Sequence, residues 1–253
     1  MRSRSYSGGS NFASSFGPGP VTPAVKFLIF ANVGVFLIQQ VVRELPVWFG
    51  LRPIDVVVGL EIWQPLTYMF LHGSISHILF NMLSLWMFGV ELERMWGTRF
   101  FARYYVVCGV GAALTTILLS FFPGSIGERL YYSVPTVGAS GAIYGLLLAY
   151  ALYFPDRQIL MSFLFPVPAK YFVMIIGAIA FLSAAGSGGD GIAHVTHLGG
   201  LLAGWLYLRG RRVRLAAEIQ YQFSRWRINR ARRKFDVHQG GRPPRDQGGP
   251  RYH

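Results

Sequence analysis

Apolar residues in this chain fall in long blocks, separated by short stretches that are polar or rich in Gly and Pro. The blocks predict six membrane-spanning helices, over about residues 24–42, 65–90, 100–122, 140–154, 169–185 and 193–209. A span of about 20 apolar residues crosses roughly 30 Å of hydrocarbon. The second block is closed by Glu91-Leu92-Glu93-Arg94-Met95-Trp96-Gly97, the third by Pro123-Gly124 and the fourth by Pro155-Asp156-Arg157; a Gly-rich link over 186–191 precedes the sixth. Residues 43–64 mix charges with Trp48, Phe49 and Trp63, the pattern of a loop lying in the membrane interface. The expected fold class is therefore all-α, a polytopic membrane protein.

Composition supports that reading. Of 253 residues, 52% are hydrophobic and only 14% are charged, against about a quarter charged in soluble domains. Mean hydropathy is +0.37. The formal charge of +13 would point to nucleic acid if it were spread over a fold. It is concentrated instead: 13 of the 24 Lys and Arg lie at Arg209 or beyond. A basic tail beside a membrane helix is first a topology signal and a contact for anionic lipid, and no nucleic acid partner is expected. Residues 1–23 are rich in Ser, Gly and Pro without an apolar core, so they read as a flexible arm and not as a cleavable signal peptide. The division expected is an arm (1–23), a six-helix domain (24–208) and a basic tail (209–253). The single cysteine, Cys108, leaves no disulfide within the chain.

Six spans put both termini on one side, and the Arg-rich tail makes that side cytoplasmic. Arg94, Arg99, Arg103, Arg157 and Lys170 fall in or beside the two inside connections. The outside loops hold Arg43, Arg52 and Arg129 against Glu44, Asp55, Glu61, Glu128 and Asp190. Spans two, four and six then run from outside to inside, and their first turns share one layer. That layer holds His77 and Asn81, Ser140, and His194 and His197. The fourth span is short, about 22 Å as a helix, which sets Ser140 below the outer surface.

Within Val137-Gly138-Ala139-Ser140-Gly141-Ala142-Ile143-Tyr144-Gly145, Ser140 is either a helix N-cap or a nucleophile. Gly138 and Gly141 permit close approach of backbone to a bound group, and a helix N-terminus suits a developing oxyanion. The soluble hydrolase signature Gly-x-Ser-x-Gly is not met, because residue 142 is alanine. A histidine inside a span is costly unless it faces protein or water; His197 is the first candidate base and His194 its rival. Gly141 and Gly145 on span four, and Gly200 and Gly204 on span six, form small-residue faces that let two helices pack closely. Their contact would bring Ser140 near His197, although packing alone also accounts for them. Tyr144 either orients the imidazole or is an interior tyrosine. His77 and Asn81, four apart, suit an oxyanion hole or an interhelical hydrogen-bond pair. His72 reads as structural. Zinc could be offered His72, His77, His194 and His197, but no His-Glu-x-x-His helix and no well-placed carboxylate accompany them; no metal or other cofactor is expected. No acidic residue lies in these half-spans, so a Ser–His dyad is the economical catalytic arrangement.

Together these residues resemble the rhomboid family of intramembrane serine proteases. The resemblance rests on Gly138-Ala139-Ser140-Gly141 with Tyr144, on His77-Ile78-Leu79-Phe80-Asn81, and on His197 with Gly200 and Gly204, and it covers roughly residues 24–208. It implies a six-helix bundle of the basic bacterial form in an inner membrane, with Ser140 as nucleophile, His197 as general base, and an oxyanion hole from the Ser140 N–H, His77 and Asn81. It also implies membrane-protein substrates, cut within a transmembrane helix near the outer face. Many bacterial members carry Trp-Arg before span two, where this chain has Trp63-Gln64. Two other classes remain for comparison. A non-catalytic relative that binds membrane clients typically lacks the serine or the histidine, and a small transporter would need polar residues through both membrane halves.

Overall fold

The computed structural model describes residues 18–122, 135–161, 165–185 and 194–210. Most of the N-terminal arm, most of the loop before Ser140, the Gly-rich link and the basic tail lie outside the described residues. The chain divides into two units, 1–207 and 208–253. Of the second, residues 208–210 are described, and they are helical.

The first unit is a helical bundle, and the helices follow the predicted blocks with informative exceptions. Helix α1 (Pro23–Val41) starts with proline in its first turn, where the missing N–H is no loss. Its outward face carries Phe27, Phe30, Leu37 and Val41, all exposed, as expected of a helix set in lipid. Residues 43–64 contain two short helices, α2 (Leu45–Phe49) and α3 (Pro53–Val57). Trp48, Leu60, Ile62 and Trp63 are exposed around them, consistent with an interfacial loop. Gln64 is fully buried. Its Oε1 accepts from the Arg52 N–H at 2.9 Å and its Nε2 donates to Glu61 at 2.7 Å. The uncharged amide thus braces the loop from within.

The second span differs from expectation. The apolar block beginning at Pro65 is not one helix. It opens with the short α4 (Gln64–Thr67) and a 3₁₀ turn (Tyr68–Phe70), and the long helix α5 begins only at Ile75 and runs to Trp96. The cause is a cap inside the block: Ser74 Oγ accepts from the His77 N–H at 3.1 Å, which satisfies an orphan donor of the first turn. The segment after Val90, expected as a turn, is the last turn and a half of α5. Gly97, at φ +76°, makes the break into α6 (Thr98–Ser120).

Helix α7 (Ser140–Tyr153) is the central element. Most of its residues are buried, among them Gly141, Ile143, Gly145, Leu146 and Tyr150, and a helix apolar all round belongs inside a bundle. It packs chiefly against α5 and α6. A two-stranded antiparallel hairpin follows, β1 (Gln158–Met161) with β2 (Phe165–Pro168), and pairs Ile159 with Val167. It leads into the apolar helix α8 (Ala169–Ala185). Residues 194–207 form α9. Among the described residues α1, α5 and α6 are long and apolar enough to cross a membrane, and α7 and α8 are shorter apolar helices.

Candidate active site

Ser140 is the first residue of α7, with Ala139 at the N-cap position. Serine here is not the cap, so its side chain is free for another partner. That partner is on α9: Ser140 Oγ lies 2.8 Å from His197 Nε2. The rival base His194 meets His197 edge-on, at 5.7 Å between ring centroids and 80° between planes. Tyr144, one turn along α7, stacks flat on the His197 ring at 4.2 Å and 6°. The imidazole is thus held between a hydroxyl at its edge and a phenol on its face. Its Nδ1 has no hydrogen-bond partner among the described residues.

The glycine faces explain how two helices come so close. A Cβ on Gly200 would collide with the Gly141 carbonyl oxygen, and one on Gly145 with Cys108 Sγ. A Cβ on Gly204 would lie 2.5 Å from Tyr104 Oη and 3.3 Å from Gly145 Cα. Backbone therefore runs against backbone along α7 and α9, and Ser140 and His197 meet at the end of that seam. Two contacts through α6 reinforce it: Tyr104 Oη donates to the Gly145 carbonyl at 2.8 Å, and the Thr116 and Thr196 hydroxyls lie 2.8 Å apart.

The other side of Ser140 is formed by the 135–139 segment and the start of α5. Leu51 and Thr136 exchange both backbone hydrogen bonds, each 2.8 Å, and the Gly138 N–H donates to the Tyr68 carbonyl at 2.9 Å. Gly138 takes φ +129°, which L side chains rarely adopt. A Cβ there would lie 2.8 Å from His77 Nε2 and 3.6 Å from Ser140 Oγ. The His77 ring accordingly packs on Gly138 beside the serine. The Gly73 N–H donates to His77 Nδ1 at 3.4 Å, an arrangement that leaves Nε2 as the protonated nitrogen facing Gly138. Asn81 lies one turn further along the same face of α5; it is 6% exposed, and its Nδ2 has no partner among the described residues. The Ser140 N–H likewise finds no acceptor among them.

The structure therefore gathers Ser140, His197, Tyr144, Gly138 and His77 at the N-terminal ends of α5, α7 and α9. Gly141, Gly200 and Gly204 form the seam behind them. The sequence missed the Leu51–Thr136 pairing, the Tyr68 carbonyl and the Gly73 N–H. All three are backbone contacts, which leave no mark in residue type. Chemically, the set offers a hydroxyl already bonded to an imidazole nitrogen, beside unpaired N–H donors at a helix start. That is the equipment for nucleophilic attack on a carbonyl with stabilisation of an oxyanion.

Known proteins resemble this chain in the same region. The family model of the Rhomboid domain matches residues 59–212. Rhomboid protease GluP of Bacillus subtilis is 30% identical over 197 residues, 76% of this chain and 35% of that protein. Rhomboid protein 1, mitochondrial, of Saccharomyces cerevisiae is 34% identical over 155 residues, 60% of this chain and 42% of its own length. Rhomboid protease AarA of Providencia stuartii is 27% identical over 194 residues, 71% of this chain and 69% of its own. The chain thus spans less than half the length of the first two relatives. With its apolar helices and the match across 59–212, this is an integral, multi-pass membrane protein that belongs to the Rhomboid family.

Proposed function

We propose that this protein is an intramembrane serine endopeptidase that cleaves transmembrane helices of membrane-protein substrates, with Ser140 as nucleophile and His197 as general base. The observation that carries the reading is the 2.8 Å contact between Ser140 Oγ and His197 Nε2 at the start of a buried helix. The presence of both residues favours an enzyme over a client-binding relative. We place it in a bacterial inner membrane with both termini cytoplasmic; the charge asymmetry of the loops supports that orientation. On this reading residues 24–208 carry the activity, and the tail 209–253 contacts anionic lipid.

His197 Nε2 takes the Ser140 proton as Oγ attacks the scissile carbonyl, and a tetrahedral intermediate forms. The negative oxygen falls to donors that are otherwise unpaired among the described residues: the Ser140 N–H, Asn81 Nδ2 and the His77 Nε2–H. His197, now protonated, gives its proton to the leaving amine. Water then attacks the acyl-enzyme by the reverse sequence and frees Ser140. Among the described residues no carboxylate contacts His197 Nδ1, and the stacked Tyr144 fixes the imidazole plane. The substrate helix must enter from lipid and unwind locally, because its own hydrogen bonds shield the peptide bond.

The test is cleavage of a single-pass reporter by purified protein in detergent. Ser140→Ala and His197→Ala are expected to be inactive, and His194→Ala active. Labelling of Ser140 by a fluorophosphonate probe provides a readout independent of substrate choice. Cleavage by the Ser140→Ala protein, or an unlabelled serine in the native one, would overturn the assignment.

A further inference from the structure

A side-chain donor that waits for an oxyanion has to be aimed before the charge arrives. For His77 the aim is easily lost. A half-turn about its Cβ–Cγ bond would put a carbon, Cε1, where Nε2 stands beside Gly138.

Three consecutive residues ahead of α5 each hold a different part of His77. Ser74 Oγ accepts from the His77 N–H at 3.1 Å and fixes its backbone. The Gly73 N–H donates to Nδ1 at 3.4 Å; after the half-turn it would face Cδ2, which accepts nothing. The His72 ring stands edge-on to the His77 ring, with centroids 5.0 Å apart and planes at 69°. His72 is fully buried, and neither of its ring nitrogens completes a hydrogen bond of normal geometry among the described residues, the Phe70 carbonyl included. What this side chain gives its surroundings is therefore shape, a flat ring packed on His77.

The 72–74 turn needs a support of its own. Leu71 and Ser74 have extended backbone, and the polar groups of such a segment must find partners elsewhere. For His72 both come from one side chain on α1. Gln39 Nε2 donates to the His72 carbonyl at 2.8 Å, and the His72 N–H donates to Gln39 Oε1 at 3.2 Å. The amide thus pairs with the backbone of His72 as a residue of a neighbouring antiparallel strand would. We propose that Gln39 and His72 are positioning residues for the His77 donor: Gln39 fixes the 72–74 turn, and the turn fixes the imidazole with Nε2–H toward Ser140. The catalytic consequence rests on the protease reading; the geometry of the cradle does not.

Two arms test this on the full chain in detergent. Gln39→Leu keeps the bulk of a half-buried side chain on α1 and removes both bonds to His72. Nitrogen NMR of protein labelled at histidine reads the His77 tautomer without catalysis, and a His77→Ala sample assigns its signals. The native protein is expected to hold one tautomer, Nε2–H, and Gln39→Leu to exchange between two. The same single tautomer in both proteins overturns the proposal.

The second arm is a double-mutant cycle, read by reporter cleavage per serine labelled with the fluorophosphonate probe, so that only folded enzyme counts. The rate of labelling follows variants too slow for the reporter. Gln39→Leu and His72→Ala should each lower kcat by about tenfold with little change in KM. His72→Phe keeps a flat ring and should retain most of the native kcat. In the His77→Ala background Gln39→Leu should cost nothing further, because no imidazole is left to hold. A loss that multiplies with that of His77→Ala, or one that vanishes when only labelled serine is counted, means a structural role alone and overturns the proposal. A tautomer change on Gln39→Leu in a protein whose native form neither cleaves nor labels supports the cradle and removes the protease reading alone.

Discussion

At the scale of the residue, the proposed chemistry divides between a pair in contact and donors that wait. Ser140 and His197 already touch, whereas Asn81 Nδ2 is buried without a partner among the described residues. A donor held unpaired in the free protein has little to gain from bound substrate and much from a developing oxyanion. Asn81→Ala should therefore lower kcat by about 10²–10³-fold, as loss of one oxyanion donor does, with little change in KM. Steady-state kinetics on the single-pass reporter measures both, and an unaltered kcat would remove Asn81 from the oxyanion hole. Tyr144 makes a different prediction, because its contact is with the His197 ring. Tyr144→Phe keeps the stacked ring and should retain most of the native kcat. Tyr144→Ala frees the imidazole to turn and should lose at least about tenfold, since small misplacements of catalytic groups are costly. Equal activity of the two variants would show that stacking does not position His197.

At the scale of the element, the α7–α9 seam decides whether those residues meet. The Gly141 carbonyl lies where a Cβ on Gly200 would stand, and backbone cannot swing aside as a side chain can. Gly200→Ala should cost about 1–3 kcal/mol from overpacking and should also lower kcat by separating His197 from Ser140. Gly34, on α1, has nothing within 4 Å of the corresponding Cβ. Gly34→Ala should be neutral or stabilising, because alanine is the better helix former by about 0.8–1 kcal/mol. Thermal unfolding of the two variants side by side makes the comparison. The seam was legible in the sequence because small residues four apart carry a pattern, and the serine and histidine at its end were legible with it. The start of α5 was not: Leu66 to Leu71 continues the apolar block, and hydropathy does not register the cap that Gly73 and Ser74 place within it. The β1–β2 hairpin was missed for a related reason. Pro166 and Pro168 argue against a strand, yet this two-stranded hairpin leaves each strand an unpaired edge, where a missing N–H costs nothing.

At the scale of the whole first unit, stability and chemistry sit at opposite ends of α5. His77 and Asn81 are near its start; Glu93 is near its end and is 2% exposed. That carboxylate accepts from Thr22 Oγ1 at 2.5 Å, the Ala24 N–H at 2.9 Å, the Val25 N–H at 3.0 Å and Thr98 Oγ1 at 2.7 Å. It thereby caps α1 from a neighbouring helix, which explains why Thr22 makes no side-chain cap of its own, and it fixes α6 at its first residue. Hydrogen bonds to a charged group contribute about 1.5–3 kcal/mol each. Glu93→Gln replaces an acceptor-only carboxylate with an amide whose nitrogen faces donors, so at least one of the two backbone N–H groups or two hydroxyls loses its acceptor. The expected result is a clear fall in unfolding midpoint in detergent, while the fraction that remains folded keeps native kcat, because no contact of Ser140, His197 or Asn81 passes through Glu93. Active-site titration with the fluorophosphonate probe counts the folded fraction and separates the two effects. A loss of kcat per labelled serine would mean that the far end of the bundle sets the geometry of the near one, and the separation drawn here between the structural and the chemical end of α5 would fail.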